Sequence, residues 1–134
     1  MPTNTPGSTA RELSFQAVHY MRKSITFADG GTAVTVGVLP AGALIHKDMS
    51  GVAVTQAFNA GTTNTLNVGT AADGDLFGTL LAVGATTFVP LNETVGGYLV
   101  TEDTTITATV VLTGTAATAG TAEVVIAYIP DNDG

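Results

Sequence analysis

Two long apolar runs in the last third of the chain constrain its fold more than any other feature. Residues 105–112 alternate apolar side chains with mainly threonine, and a period of two places one apolar row on one face of a β-strand. Residues 122–129 are almost continuously apolar and are followed by Pro130. The pattern predicts a hairpin of two antiparallel strands joined by a flexible loop, residues 114–120. Because strands this apolar need neighbours, we expect both in the middle of a larger β structure.

Shorter strand patterns, separated by turn residues, fill the rest of the chain. We predict these strands at residues 13–27, 33–39, 43–47, 52–58, 63–68, 87–91 and 98–101. Residues 71–81 are the one candidate helix, with Asp73 as N-cap, but they fit an irregular loop held by Phe77 equally well. Eight or nine short strands with at most one short helix predict an all-β fold, an antiparallel sandwich or barrel. We interpret it as a jelly-roll-like β-sandwich.

The length of 134 residues suits a single domain with a real core. Residues 1–12 are rich in Pro, Gly, Thr and Ser and predict a flexible N-terminal arm, which leaves residues 13–134 as the β domain. Such an arm is either disordered or becomes ordered against a neighbouring subunit.

Charged residues make up 11% of the chain, against about 25% in a typical soluble domain. The surface must therefore consist largely of Thr, Ser, Asn and Gly, which suits contact with a partner protein. The net charge is −7 with four basic residues, which argues against binding to nucleic acid or to an anionic membrane. No signal peptide or transmembrane stretch is recognisable, so we expect synthesis in the cytoplasm.

Candidate metal ligands are sparse. The chain has no cysteine and two histidines, His19 and His46, which we interpret as structural or surface residues. Asp73 and Asp75 resemble the start of a calcium loop, but the downstream oxygen ligands are missing. We expect no metal and no cofactor.

Candidate catalytic residues are equally sparse. Glu102 and Asp103 are adjacent and would point to opposite faces of a strand, so they do not form a paired-carboxylate site. No serine lies in a nucleophile elbow, and the glycine-rich segments lack a phosphate-loop lysine. We therefore expect a protein that is not an enzyme.

Several stretches carry a resemblance to a known family. They are YMRK (20–23), SITFADGGTAVTVGVLPAG (24–42), FNAGTTNTLNVGT (58–70) and the ending from residue 104 to residue 134. Together they resemble the small structural proteins encoded beside the major capsid gene in tailed bacteriophages and prophages. The resemblance implies a capsid decoration, or cement, protein: a jelly-roll-like domain on the outside of the capsid lattice.

The partners implied are the major capsid protein and further copies of the chain, as a dimer or trimer, on the virion surface after synthesis in the host cytoplasm. A head-completion or tail protein of the same phage is the alternative. A receptor-binding or carbohydrate-binding module is a further alternative, although a chain without Trp has few aromatic side chains to form a binding platform. The residues expected to contact the capsid or another subunit are Thr3, Thr5, Pro6, Gly114, Thr115, Thr118, Gly120 and Asp131.

Overall fold

The computed structural model describes residues 18–93 and 97–130, which form an all-β structure, as predicted. The strands are β1 (His19–Thr26), β2 (Ala33–Leu39), β3 (Leu44–His46), β4 (Gly51–Gln56), β5 (Thr63–Thr70), β6 (Gly78–Ala82), β7 (Phe88–Pro90), β8 (Gly97–Leu99), β9 (Thr104–Thr113) and β10 (Thr121–Ile129). The helical residues in the described part are two single turns of 3₁₀ helix, Phe27–Asp29 and Lys47–Met49. The described residues contain no helix with the length and apolar character that crossing a bilayer requires.

The strands form two antiparallel sheets. In the six-stranded sheet, β10 pairs with β1 along one side and with β4 and β3, end to end, along the other. Strand β7 then extends the sheet from β4, and β8 extends it from β3. The four-stranded sheet has the order β2-β9-β5-β6.

These strand orders confirm the jelly-roll-like sandwich. Eight strands make the frame, in the orders β1-β10-β4-β7 and β2-β9-β5-β6, which is the two-sheet arrangement of a jelly roll. Strands β3 and β8, of three residues each, lengthen the six-stranded sheet at one end. The chain therefore crosses between the sheets at several of its turns.

The predicted C-terminal hairpin is wrong. Strands β9 and β10 are both central, as expected, but each is central in a different sheet. Both sides of β9 are occupied by β2 and β5, and both sides of β10 by strands of the other sheet. The inner faces of the two strands instead meet in one core, where Ile106, Val110, Val124 and Ile126 are fully buried. Burying both apolar rows across a sandwich removes more apolar surface from water than a hairpin would.

The predicted helix over residues 71–81 is wrong. The alternative of an irregular loop held by Phe77 is confirmed for residues 71–77, whereas residues 78–81 belong to a strand that was not predicted. Phe77 is fully buried, while Gly78–Ala82 is strand β6. The backbone of Asp73 folds back against β5, where its carbonyl accepts the N–H of Thr70 at 2.8 Å. Burial of one large aromatic side chain outweighs the weak helix propensity of a segment with two glycines.

Candidate functional site

The side chains with potential for catalysis or metal binding are dispersed. His19 lies on β1, where its ring packs on Tyr128 with 5.7 Å between centroids. His46 ends β3, and β10 lies between the two histidine-bearing strands. Asp103 accepts the backbone N–H of Ala41 at 2.9 Å, which gives it a structural role in a turn. Within residues 18–93 and 97–130, no three His, Asp or Glu side chains are grouped so that they could hold a metal ion.

Acidic residues are concentrated at one end of the sandwich, in the turns around the end of β5 and the start of β9. We call this the acidic end; its members are Asp73, Asp75, Glu93, Glu102 and Asp103, five of the eight acids in the described residues. A depression of about 320 Å³ lies between these turns. With no described cation among these carboxylates, the acidic end repels other acidic surfaces.

The crowding of carboxylates at the acidic end affects the pKa of Asp75. A hydrogen bond with Asp73 raises the pKa of Asp75 above its ordinary value, and the nearby charges of Asp73 and Glu93 raise it further. Because Asp75 is fully exposed, water screens these effects on its pKa.

The opposite end of the sandwich is formed by loops without any ionisable residue. They comprise residues 57–62, 84–87 and 114–120, and we call them the uncharged loops. Of the predicted contact residues, Gly114, Thr115, Thr118 and Gly120 lie here; Thr3, Thr5, Pro6 and Asp131 lie outside the described residues. The neighbouring turn carries Asp29, whose carboxylate accepts the N–H of Thr26. The structure thus brings Gly114, Thr115 and Thr118 together on a neutral surface, while Gly120 is buried.

The loop 114–120 is held in place by the loop 57–62. The side-chain oxygen of Asn59 accepts the N–H groups of Thr118 and Ala119, at 2.9 and 3.0 Å. Its amide nitrogen donates to the hydroxyl of Thr118 at 3.0 Å. The N–H of Gly61 donates to the carbonyl of Thr115 at 2.9 Å. Sequence reasoning missed this partnership, for which the Asn-Ala-Gly turn was the available signal.

The outer face of the four-stranded sheet continues the neutral surface. Strands β2, β5, β6 and β9 contain no ionisable residue. Rows of neighbouring side chains across the outer face include Thr35 beside Thr107 and Thr109 beside Asn67. The hydroxyl of Thr65 is buried without a hydrogen-bond partner among the described residues. The threonines of this face have stiff β-branched side chains, and because the four strands carry no charge, contact with a partner requires no desolvation of charged groups on them.

Comparison with known proteins gives one likeness at the level of structure. No protein-family model matches the chain, and no curated protein matches it in sequence. The chain is similar to a chain of the cyanophage Pam1 capsid asymmetric unit, with a TM-score of 0.69 and 23% sequence identity. The match covers 97% of each chain, so the two are also similar in length. At this identity the likeness establishes a shared fold.

Proposed function

We propose that this chain is a structural protein of a phage virion and serves as a capsid decoration, or cement, protein. The observation that carries the proposal is the end-to-end likeness of its jelly roll to a chain of similar length in a phage capsid. Many copies would bind the outer surface of the major capsid protein lattice and add contact area across the joints between its subunits. Binding to the assembled shell alone stabilises that shell by mass action.

The charge distribution supports the uncharged loops as the surface that faces the lattice. Protein interfaces are depleted of charged residues at their centres, because a buried charge without a partner is costly. The loops 57–62, 84–87 and 114–120 meet this condition, and the acidic end does not. In this orientation the acidic end points away from the shell, and the repulsion between particles that it produces favours solubility.

Reconstitution on purified particles tests the proposal. Capsids assembled without the protein are mixed with purified protein, and the bound copies are counted against the major capsid protein. We expect binding in proportion to the shell subunits and a higher temperature of capsid disruption. Absence of binding, together with unchanged heat tolerance, would falsify the decoration role.

Copy number also separates this role from the alternative of a head-completion or tail protein. Those proteins form one closed ring, at a connector or in the tail, so a single ring of copies per particle would support them. Copies spread over the whole head would support decoration.

A matched pair of variants tests which end faces the lattice. Ala116 lies exposed in the loop 114–120, and Ala72 lies exposed at the acidic end. We expect Ala116→Glu to weaken capsid binding by about tenfold or more, because it introduces an unpaired charge into the contact. Ala72→Glu makes the same chemical change at the opposite end and should bind as the wild type does. Equal binding by both variants would show that the uncharged loops are not the contact surface.

A further inference from the structure

Strand β1 is an open sheet edge of unusual regularity. All eight of its residues pair with β10 on one side, and no described strand pairs with its other side. The other edges are short or irregular: β7 and β8 have three residues each, β6 has five, and β2 contains a register shift between Thr35 and Gly37. Long regular edges are templates for an added strand, and proteins generally blunt them. Four of the five edge strands, β2, β6, β7 and β8, are therefore blunted, and β1 is not.

The backbone groups that face outward from β1 can be identified from the ladder with β10. The N–H of Phe27 donates to the carbonyl of Gly120 at 3.1 Å, which continues the register of β1 and β10 by one residue. Since successive residues of an antiparallel strand alternate in direction, the N–H and C=O groups of Tyr20, Arg22 and Ser24 point away from β10.

Two further contacts fix this alternation and mark where the open edge ends. Thr26 is the next residue whose N–H faces outward, and this N–H donates to the carboxylate of Asp29 at 2.9 Å. Across the ladder, the N–H of Ala127 points away from β1 and donates to the hydroxyl of Ser50 at 2.9 Å. The open edge therefore runs from Tyr20 to Ser24, room for a strand of about five residues at 3.4 Å per residue.

The open edge is also cationic. Arg22 and Lys23 lie on it and point to opposite faces, and Lys47 is the remaining basic residue in the described part of the chain. Arg22 forms an ion pair with Glu123, while Lys23 forms none within the described residues. In a chain with a net charge of −7, Arg22 and Lys23 beside the single carboxylate of Glu123 leave this edge with a local excess of positive charge.

We propose that the edge of β1 from Tyr20 to Ser24 accepts an extended, carboxylate-bearing segment of a partner chain as an added β-strand. Main-chain hydrogen bonds to the three outward residues supply the affinity, and Lys23 with Arg22 selects acidic side chains. Pairing of β1 with β1 of a second copy is disfavoured, because it would bring the Arg22 and Lys23 cations of both copies close together. The inference rests on the proposed function in taking the partner to be a component of the capsid lattice.

Hydrogen exchange on the wild-type protein gives the first test. In the free protein, the outward amides of Tyr20, Arg22 and Ser24 should exchange faster than the inward amides of Met21 and Lys23. On capsids the outward amides should become protected by about tenfold or more, as hydrogen-bonded amides are. If they are already protected in the free protein, the chain or a second copy covers the edge and the proposal is wrong.

A proline at position 24 gives the second test. Ser24→Pro removes an outward N–H and leaves the ladder with β10 intact, which edge strands tolerate. We expect unchanged circular dichroism but capsid binding weakened by about tenfold or more, because the added strand loses a hydrogen bond and meets the proline ring. Ser24→Ala keeps the N–H and should bind normally. Normal capsid binding by Ser24→Pro would show that no partner strand is added to β1, and it would not contradict the proposed decoration role.

Charge reversal gives a third test that does not depend on proline. Lys23→Glu should weaken capsid binding by about threefold to tenfold, with a smaller difference at high salt. Lys47→Glu makes the same change away from the edge and should have no such effect. Equal capsid binding by Lys23→Glu and Lys47→Glu would show that the edge of β1 does not select acidic segments. If the wild-type protein binds no capsids at all, the proposed function itself has failed and the added strand fails with it.

Discussion

Gly120 occupies a position that a larger residue fits only with distortion. Its φ angle is 149°, and a Cβ atom there would overlap the ring of Phe58, which is buried. We therefore expect Gly120→Ala to lower the free energy of unfolding by about 2–4 kcal/mol, from backbone strain and overpacking together. Urea denaturation measures the effect.

Gly74→Ala is the matched control for this prediction. Gly74 lies in an exposed turn, and a Cβ atom there meets nothing within 4 Å. Its free energy of unfolding should change by less than about 0.5 kcal/mol. Similar losses in the two variants would show that the contact with Phe58 is not what restricts position 120.

The raised pKa of Asp75 should respond to its neighbour. Removing the hydrogen bond and the charge in Asp73→Ala should lower the pKa of Asp75 towards its ordinary value. Because the folded state raises this pKa, the stabilising contribution of the protonated carboxyl is complete below the ordinary pKa and is lost as the pH rises through the raised one. Titration of the Asp75 carboxyl by NMR checks the shift.

Glu93→Gln provides the comparison, since Glu93 acts through charge alone and is the smallest of the causes. It should lower the pKa of Asp75 less than Asp73→Ala does. A larger response to Glu93→Gln would contradict the assignment of the shift to the Asp73 hydrogen bond.

At the scale of elements, Ser50 completes the hydrogen bonding of β10 where two partner strands meet end to end. Strand β3 pairs as far as Tyr128 and β4 pairs from Val125. In the gap, the buried hydroxyl of Ser50 accepts the N–H of Ala127 at 2.9 Å and donates to the carbonyl of His46 at 2.8 Å. One side chain thus replaces a missing rung of the ladder.

Ser50→Ala should therefore lower the free energy of unfolding by about 1–3 kcal/mol, because a buried N–H is left without a partner. Thermal and urea unfolding measure the change. Ser24→Ala, on the exposed edge of β1, removes the same hydroxyl and should change stability by less than about 0.5 kcal/mol. A neutral Ser50→Ala would mean that another group satisfies Ala127.

At the scale of the whole molecule, the sandwich has two chemically distinct ends. Among the described residues, five carboxylates stand at one end, and the uncharged loops, beside a turn that carries Asp29, stand at the other. This separation gives the domain an orientation relative to any large partner surface, since desolvation favours contact at the neutral end and repulsion keeps the acidic end exposed.

Truncation tests the predicted arm at this scale. All eight strands of the jelly-roll frame lie within residues 19–129, so deleting residues 1–10 should shift the unfolding temperature by no more than about 3 °C. The same deletion should reduce the number of copies bound per capsid, as measured by quantitative gel densitometry. Loss of cooperative unfolding would show that the arm belongs to the core.

The sequence by itself determined the strands other than β6 and the character of the loops. A period of two in apolar residues is local, so β2 was predicted at its observed bounds. The small residues from Gly114 to Gly120 likewise predicted a loop, which lies between β9 and β10. The tertiary structure alone decided the pairing. His19 joins Tyr128 across more than a hundred residues, and β9 and β10 enter different sheets. Hydrogen bonds between distant residues depend on the whole core and leave no local pattern in the sequence. The same holds for the burial of Phe77, which replaces the predicted helix.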